Sequence, residues 1–110
     1  MNLLKQFEVK YLGDAIEFLN SLDDKVRNKI QYDITCAQHE MNNGLFKKLT
    51  NDIWEFRTRY RGSAYRLLAF WDKETRSLVV ATHGFIKKKQ KTPSKEIKRA
   101  QELMKIYYEQ

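Results

Sequence analysis

Phe7, Val9 and Tyr11 alternate with Gln6, Glu8 and Lys10, a period of two that predicts a short first strand with one buried face. Gly13-Asp14 interrupts it. Ala15, Phe18, Leu19 and Leu22 then recur at helical spacing, with Asp14 placed to cap the free N–H groups of a first helix. Ser21-Leu22-Asp23-Asp24 restarts the chain in the manner of a capping box. Beyond it Val26, Ile30, Ile34, Ala37 and Met41 line one stripe of a second helix. Met41-Asn42-Asn43-Gly44 reads as that helix's end, because Asn and Gly tolerate the left-handed backbone that terminates many helices.

From there the period returns to two. Trp54, Phe56 and Tyr60 fall on one face of a strand beginning at Ile53, with Glu55, Arg57 and Arg59 on the other. Arg61-Gly62-Ser63 is a turn, Ala64 to Trp71 an apolar strand, and Asp72 to Ser77 a polar connection into Leu78–Ile86. These three strands form an antiparallel meander. The β-branched, nearly uncharged last strand is expected to be central, and the strand at Ile53 more exposed. Thr92-Pro93 supplies a helix cap and a first-turn proline, and Ile97, Ala100, Met104 and Tyr107 mark the packed side of a terminal helix. The predicted order is β-α-α-β-β-β-α in one α+β layer pair, and 110 residues fit a single domain spanning 1–110.

Charge changes the picture, because it is concentrated. Between Phe85 and Arg99 seven Lys/Arg face one acid, and between Ile53 and Arg66 four arginines face Glu55, leaving the other 81 residues at −2 of a formal +7. A local positive charge of this kind fits a polyanion such as nucleic acid. With 42% hydrophobic residues the chain has the means to fold around its basic segments. The single Cys36 excludes an internal disulfide, and two histidines make a structural zinc site a poor fit. Neither a signal peptide nor a run of membrane-spanning length is present in the sequence, so a soluble, cytoplasmic protein is expected.

Arg57 and Arg66 lie on neighbouring strands either side of a turn, and Lys87 and Lys88 leave the end of the third strand. If these groups share a face, they offer fork-shaped donors and point charges suited to a phosphodiester, and to the charge that develops on phosphorus during cleavage. A solvated sheet face, or pairing of Glu55 with one arginine, explains a single arginine equally well. The lysine run read alone fits a plain polyanion clamp. His83 sits within an apolar strand before Gly84 and reads as a satisfied core histidine rather than a general base, and Cys36 with His39 reads as structural. Tyr60, Tyr65, Tyr107 and Tyr108 are candidate base-stacking rings, although aromatics at these periods are usually core. No Gly-rich phosphate loop, nucleophile-base arrangement or carboxylate cluster for magnesium can be assembled. Cleavage of nucleic acid without metal or cofactor is feasible on RNA, whose 2′-hydroxyl is a built-in nucleophile.

Trp54-Glu55-Phe56-Arg57, Tyr65-Arg66, His83-Gly84-Phe85-Ile86-Lys87-Lys88, Lys91-Thr92-Pro93 and Glu96-Ile97 with Ala100 together resemble the phage-derived Gp49-like proteins, the HigB-type branch of the RelE/ParE toxin superfamily. Phe56 stands where leucine is usual and Lys89 where threonine is usual. The resemblance implies a RelE-like fold, with helices on one side of a small, mostly antiparallel sheet. It implies a toxin that enters the ribosomal A site and cleaves mRNA to a 2′,3′-cyclic phosphate and a 5′-hydroxyl. A cognate helix-turn-helix antitoxin of the HigA type is implied as partner. Carried over by position, Arg57 and Arg66 bind the scissile phosphate and Lys87 or Lys88 serves as base or charge stabiliser. Lys89 and Lys91 contact the RNA backbone, together with Arg59 and Arg61 of the other basic group. The C-terminal tyrosine of better-known RelE members has only Tyr107 as a weak counterpart. Two alternatives remain: a non-catalytic protein that binds RNA, the ribosome or an acidic partner, and a ParE-like gyrase inhibitor.

Overall fold

A computed structural model describes residues 4–42, 44–88 and 90–110. Among these the elements run β1 (Glu8–Tyr11), α1 (Gly13–Asn20), α2 (Asp24–Glu40), β2 (Phe46–Lys48), β3 (Trp54–Tyr60), β4 (Ser63–Trp71), β5 (Leu78–Lys87) and α3 (Ser94–Glu109). The strands form one sheet in the order β1-β5-β4-β3-β2, antiparallel except where β1 runs parallel to β5. The expected meander is β3-β4-β5. Its last strand is interior as foreseen, though β4 is the middle one, and β3 is covered along its first half by β2, a strand the pattern did not predict.

Leu67, Leu68, Ala69 and Phe70 are all buried, so β4 has no polar face and needs cover on both sides. The structure supplies it. Leu67, Ala69, Val79, Ala81 and Phe56 pack with Phe7, Phe46, Ala15 and Leu19 and with Ile30, Ile34 and Ala37 of α2. Leu68, Phe70, Val80 and Ile53 pack instead with Ala100, Ile97 and Met104 of α3. The helices thus lie on both sides of the sheet, not on one as the resemblance implied.

Two details of β5 set the geometry that follows. Opposite Leu68 and Ala69 the register shifts: Leu68 pairs with His83 and Ala69 with Ala81, leaving Thr82 as the extra residue of a β-bulge, its hydroxyl donating to the Leu68 carbonyl at 3.2 Å. Val79 and Ala81 therefore face α1 and α2, whereas His83, Phe85 and Lys87, also odd-numbered, face the α3 side. At Gly84 a Cβ would lie 2.1 Å from Cδ2 of Phe18, so α1 crosses the strand where only glycine fits. Gly84→Ala is expected to destabilise the fold by about 1–3 kcal/mol through overpacking, with Gly84→Ala/Phe18→Leu recovering part of the loss in urea unfolding.

Helix ends differ from expectation in four places. The capping box read at Ser21–Asp24 does not form: the N-cap of α2 is Asp23, without a side-chain cap, and the Ser21 hydroxyl donates to the Phe18 carbonyl at 2.6 Å. Asp14 makes no cap; it lies in the first turn of α1 and accepts from Arg99 at 2.7 Å. The left-handed residue closing α2 is Met41 itself, at φ 52°, ahead of the Asn and Gly positions; Asn43 lies outside the described residues. Pro93, not Thr92, occupies the N-cap of α3, which frees the Thr92 side chain for a contact with the sheet. At the hairpin tip Arg61 (φ 49°) and Gly62 (φ 83°) form a two-residue turn with positive φ at both central positions, the type I′ pattern that matches strand twist.

Candidate functional site

Arg57 and Arg66 are direct cross-strand partners of β3 and β4, so their side chains leave the same sheet face. The next row toward the hairpin is Arg59, Ala64 and Lys87, brought onto that face by the bulge in β5. α3 covers only the apolar half of this face and begins at Ser94, beside the row Glu55, Leu68 and His83. Beyond that row the sheet carries Arg57, Arg59, Arg66 and Lys87. The condition left open by the sequence, that these groups share a face, holds for Arg57, Arg66 and Lys87, while Lys88 lies past the end of β5.

The cluster is built around a buried acid. Glu55 is 3% exposed; its Oε2 lies 3.6 Å from Arg57 Nε and its Oε1 3.6 Å from Arg66 Nε, while Oε1 accepts the Thr92 hydroxyl at 2.6 Å. Sequence reasoning anticipated Glu55 pairing with one arginine; it reaches both. Arg66 is 2% exposed, donates from Nη1 to the Tyr65 carbonyl at 3.1 Å, and leaves Nε without a hydrogen-bond partner. Its burial lowers the guanidinium's proton affinity, an effect Glu55 opposes and Arg57 and Arg59 reinforce. The ammonium of Lys87 is likewise pushed below its ordinary pKa, first by desolvation and then by Arg66, against the pull of Glu55. A half-buried lysine in this field holds its proton less firmly than one in water.

Two hollows flank the cluster. One, of about 320 Å³, opens at the free edge of β3 among Arg57, Arg59, Arg66, Leu45 and the Lys29–Asp33 pair of α2. The other, of about 460 Å³, lies between the end of β5 and the start of α3, with Phe85, Lys87, Lys88, Pro93 and Lys95 in its wall. Lys88 and Lys91 are exposed on the connection between these elements, and Lys89 lies outside the described residues. Arg61 is exposed at the hairpin tip, its guanidinium 5.3 Å from the centre of the Tyr60 ring. Lys29 was not singled out from the sequence, and Thr92 was read as a helix cap and part of the resemblance rather than as a contact of this cluster. Neither role carries a local signal, since Thr92 meets Glu55 across 37 residues of chain.

Tyr107 does not belong to this cluster. Its hydroxyl donates to Asp72 Oδ2 at 2.7 Å, which pushes its pKa up to about 12. Asp72 follows the far end of β4, six residues past Arg66, on the order of 20 Å away at strand rise. Tyr108 packs beside Tyr107 on Phe70. These two rings anchor α3.

His83 is buried, as the sequence suggested, between the Thr82 hydroxyl at 3.1 Å and Glu96 Oε1 at 3.0 Å. Burial depresses its pKa below 6.5, with the Glu96 bond pulling the other way and Arg99 adding to the fall. The neutral ring is the folded form, so the stability tied to it is present above pH 6.5 and lost as pH drops through the folded value. An NMR titration of the ring should give a midpoint below 6.5, with the urea midpoint declining in the same window.

The model of a family described as Phage derived protein Gp49-like (DUF891) matches residues 17–105. Among solved structures, the chain resembles an E. coli RelE toxin in the free state that carries two arginine-to-alanine substitutions. The TM-score is 0.62 at 16% identity, covering 90% of this chain and 97% of that one. It also resembles the Mycobacterium tuberculosis RelBE2 toxin-antitoxin complex, with a TM-score of 0.55 at 21% identity over 79% and 98% of the two chains. The Pyrococcus horikoshii RelE-RelB complex gives 0.53 at 15% identity over 79% and 99%. At these identities the likeness establishes the fold. No curated protein matches the chain.

Proposed function

Because the chain belongs to the family of phage-derived Gp49-like proteins, we propose that it is the toxin of a toxin-antitoxin pair, a single domain over 1–110 that cleaves mRNA on the ribosome. The observation that carries this reading is the cross-strand pair Arg57–Arg66 with Lys87 one row away on the same face. Two guanidiniums and an ammonium set on one rigid sheet provide the donors that a phosphodiester, and more so its pentacoordinate transition state, requires.

In this reading the 2′-hydroxyl of the message attacks the adjacent phosphorus, giving a 2′,3′-cyclic phosphate and a 5′-hydroxyl. Arg57 and Arg66 take the non-bridging oxygens. Lys87, whose neutral form is favoured by burial and by Arg66, accepts the 2′-hydroxyl proton, and water protonates the 5′-oxygen as its bond to phosphorus breaks. Lys88, being exposed, contributes charge. Arg59, Arg61 and Lys91 hold flanking phosphates; the same role falls to Lys89. An antitoxin is the proposed partner, supported by one similar fold being described as a toxin-antitoxin complex and another as a RelE-RelB complex; its HigA-like helix-turn-helix character is part of the proposal. No helix among the described residues is long and apolar enough to cross a membrane, and the proposed site of action is the cytoplasm.

The burial of Arg66 favours one second reading, a non-catalytic RNA binder, since at 2% exposure this side chain does not meet a ligand without rearrangement. Mapping 5′ ends on a translated message after induction separates the two. New ends within the reading frame support the nuclease; growth arrest without them leaves binding or gyrase poisoning.

A further inference from the structure

Thr92 and Glu55 meet at the centre of the cluster, where the sequence suggested only a helix cap for the first and pairing with a single arginine for the second. The Thr92 hydroxyl sits 2.6 Å from Glu55 Oε1, the same oxygen that stands 3.6 Å from Arg66 Nε, too far for a hydrogen bond. Arg66 Nε is the one buried side-chain N or O atom among the described residues left without a partner, in a side chain 98% removed from solvent. A charged donor is not buried unpaired without cost. Glu55 meets both arginines at their Nε atoms, while Nη1 of Arg66 donates to the Tyr65 carbonyl. Thr92 in turn ends the lysine-bearing connection that starts at Lys88. The strand fixes one end of that connection and the Thr92–Glu55 bond fixes the other.

We propose that Glu55 and Thr92 form a positioning pair: Glu55 aligns Arg57 and Arg66, and Thr92, by holding Glu55, ties the lysine-bearing connection to the arginine face. The proposal rests on the nuclease reading for its catalytic consequence. Its structural half stands apart from that reading, because the connection depends on the Thr92 hydroxyl whatever the substrate.

The test compares Thr92→Val, which keeps the shape and removes the hydroxyl, with Thr92→Ser, which keeps the hydroxyl; Glu55→Gln serves as a second lesion. Thr92→Val should speed amide exchange at Glu96 and Ile97, whose N–H groups donate to the Pro93 carbonyl beside Thr92, about tenfold, the size expected for loss of one hydrogen bond to a charged acceptor. It should lower kcat on a translated message by about the same factor, with KM within about twofold. Thr92→Ser should restore both. Unchanged exchange in Thr92→Val, or a serine variant no better than valine, overturns the pair. Arg57→Ala and Arg66→Ala run alongside. If they lose cleavage while Thr92→Val and Glu55→Gln retain it, the pair fails and the nuclease reading stands; if they retain full cleavage, the nuclease reading fails, and exchange alone decides the pair.

Discussion

Arg66→Ala should reduce mRNA cleavage by on the order of 10²–10³, the usual cost of removing one donor to a developing oxyanion. It should also weaken the fold. Arg66 is almost wholly buried beside an equally buried Glu55, so its loss leaves a carboxylate facing only Arg57 and Thr92. Removing one partner of a buried pair costs about 3–5 kcal/mol when the pair is tight. At 3.6 Å this pair is loose, which places the loss toward the lower end. Arg57 separates the two effects, because its side chain is 29% exposed. Arg57→Ala should lose cleavage on a comparable scale and keep most of its stability. Arg66→Lys should keep the charge and recover stability more than rate, an ammonium being unable to reproduce the two-pronged contact. Primer extension on a translated message and urea unfolding, measured on all three variants, check the set. Full cleavage in both alanine variants would remove these arginines from the site.

Phe46→Ala should cost about 3–5 kcal/mol, the range for truncating a fully buried phenylalanine. Phe46 is 1% exposed and its ring lies 4.4 Å from that of Phe56, 4.8 Å from Trp54 and 5.2 Å from Phe7, centroid to centroid. The strand that carries it has only three residues, and the other two, Lys47 and Lys48, are exposed. Alanine at either lysine should stay within about 0.5 kcal/mol of the parent. The phenylalanine also matters to the site, since the carbonyl of the preceding Leu45 accepts the Arg57 N–H at 2.8 Å. A chain that releases Phe46 frees the edge on which Arg57 is mounted. Urea midpoints of the three alanine variants test the contrast.

The elements legible in the sequence are those whose apolar spacing is sustained. Three helices, the first strand and the meander all announce themselves by period, and the motif residues Arg57, Arg66 and Lys87 were readable as candidates from charge and resemblance. What escaped has a physical explanation in each case. Phe46-Lys47-Lys48 holds one apolar residue, too few for any period, and its strand exists because Phe46 finds Phe56. Met41 adopts the left-handed backbone although a side chain usually discourages it, so the helix stops earlier than the Asn-Gly signal suggests. Thr92 was placed as a cap from its position before proline, but its hydroxyl answers to a carboxylate remote in the chain. The two-sided packing was implicit in the unbroken run Leu67–Phe70, which a one-sided sheet cannot bury.

The bulge at Thr82 divides the last strand into two stretches under different demands. Upstream of it, Val79 and Ala81 serve the core under α1 and α2; downstream, residues of the same parity turn to the α3 side, where Lys87 joins the cationic surface. Loss of one residue between the bulge and Lys87, such as the exposed Ile86, would send Lys87 to the opposite side of the sheet, with the arginines intact but their companion gone, whereas loss of Thr82 itself would remove the bulge and leave Lys87 on its present face. Mutational drift in this strand is therefore constrained in count as well as in kind: a single deletion of an ordinary-looking isoleucine would disarm the molecule while leaving every charged side chain in the sequence.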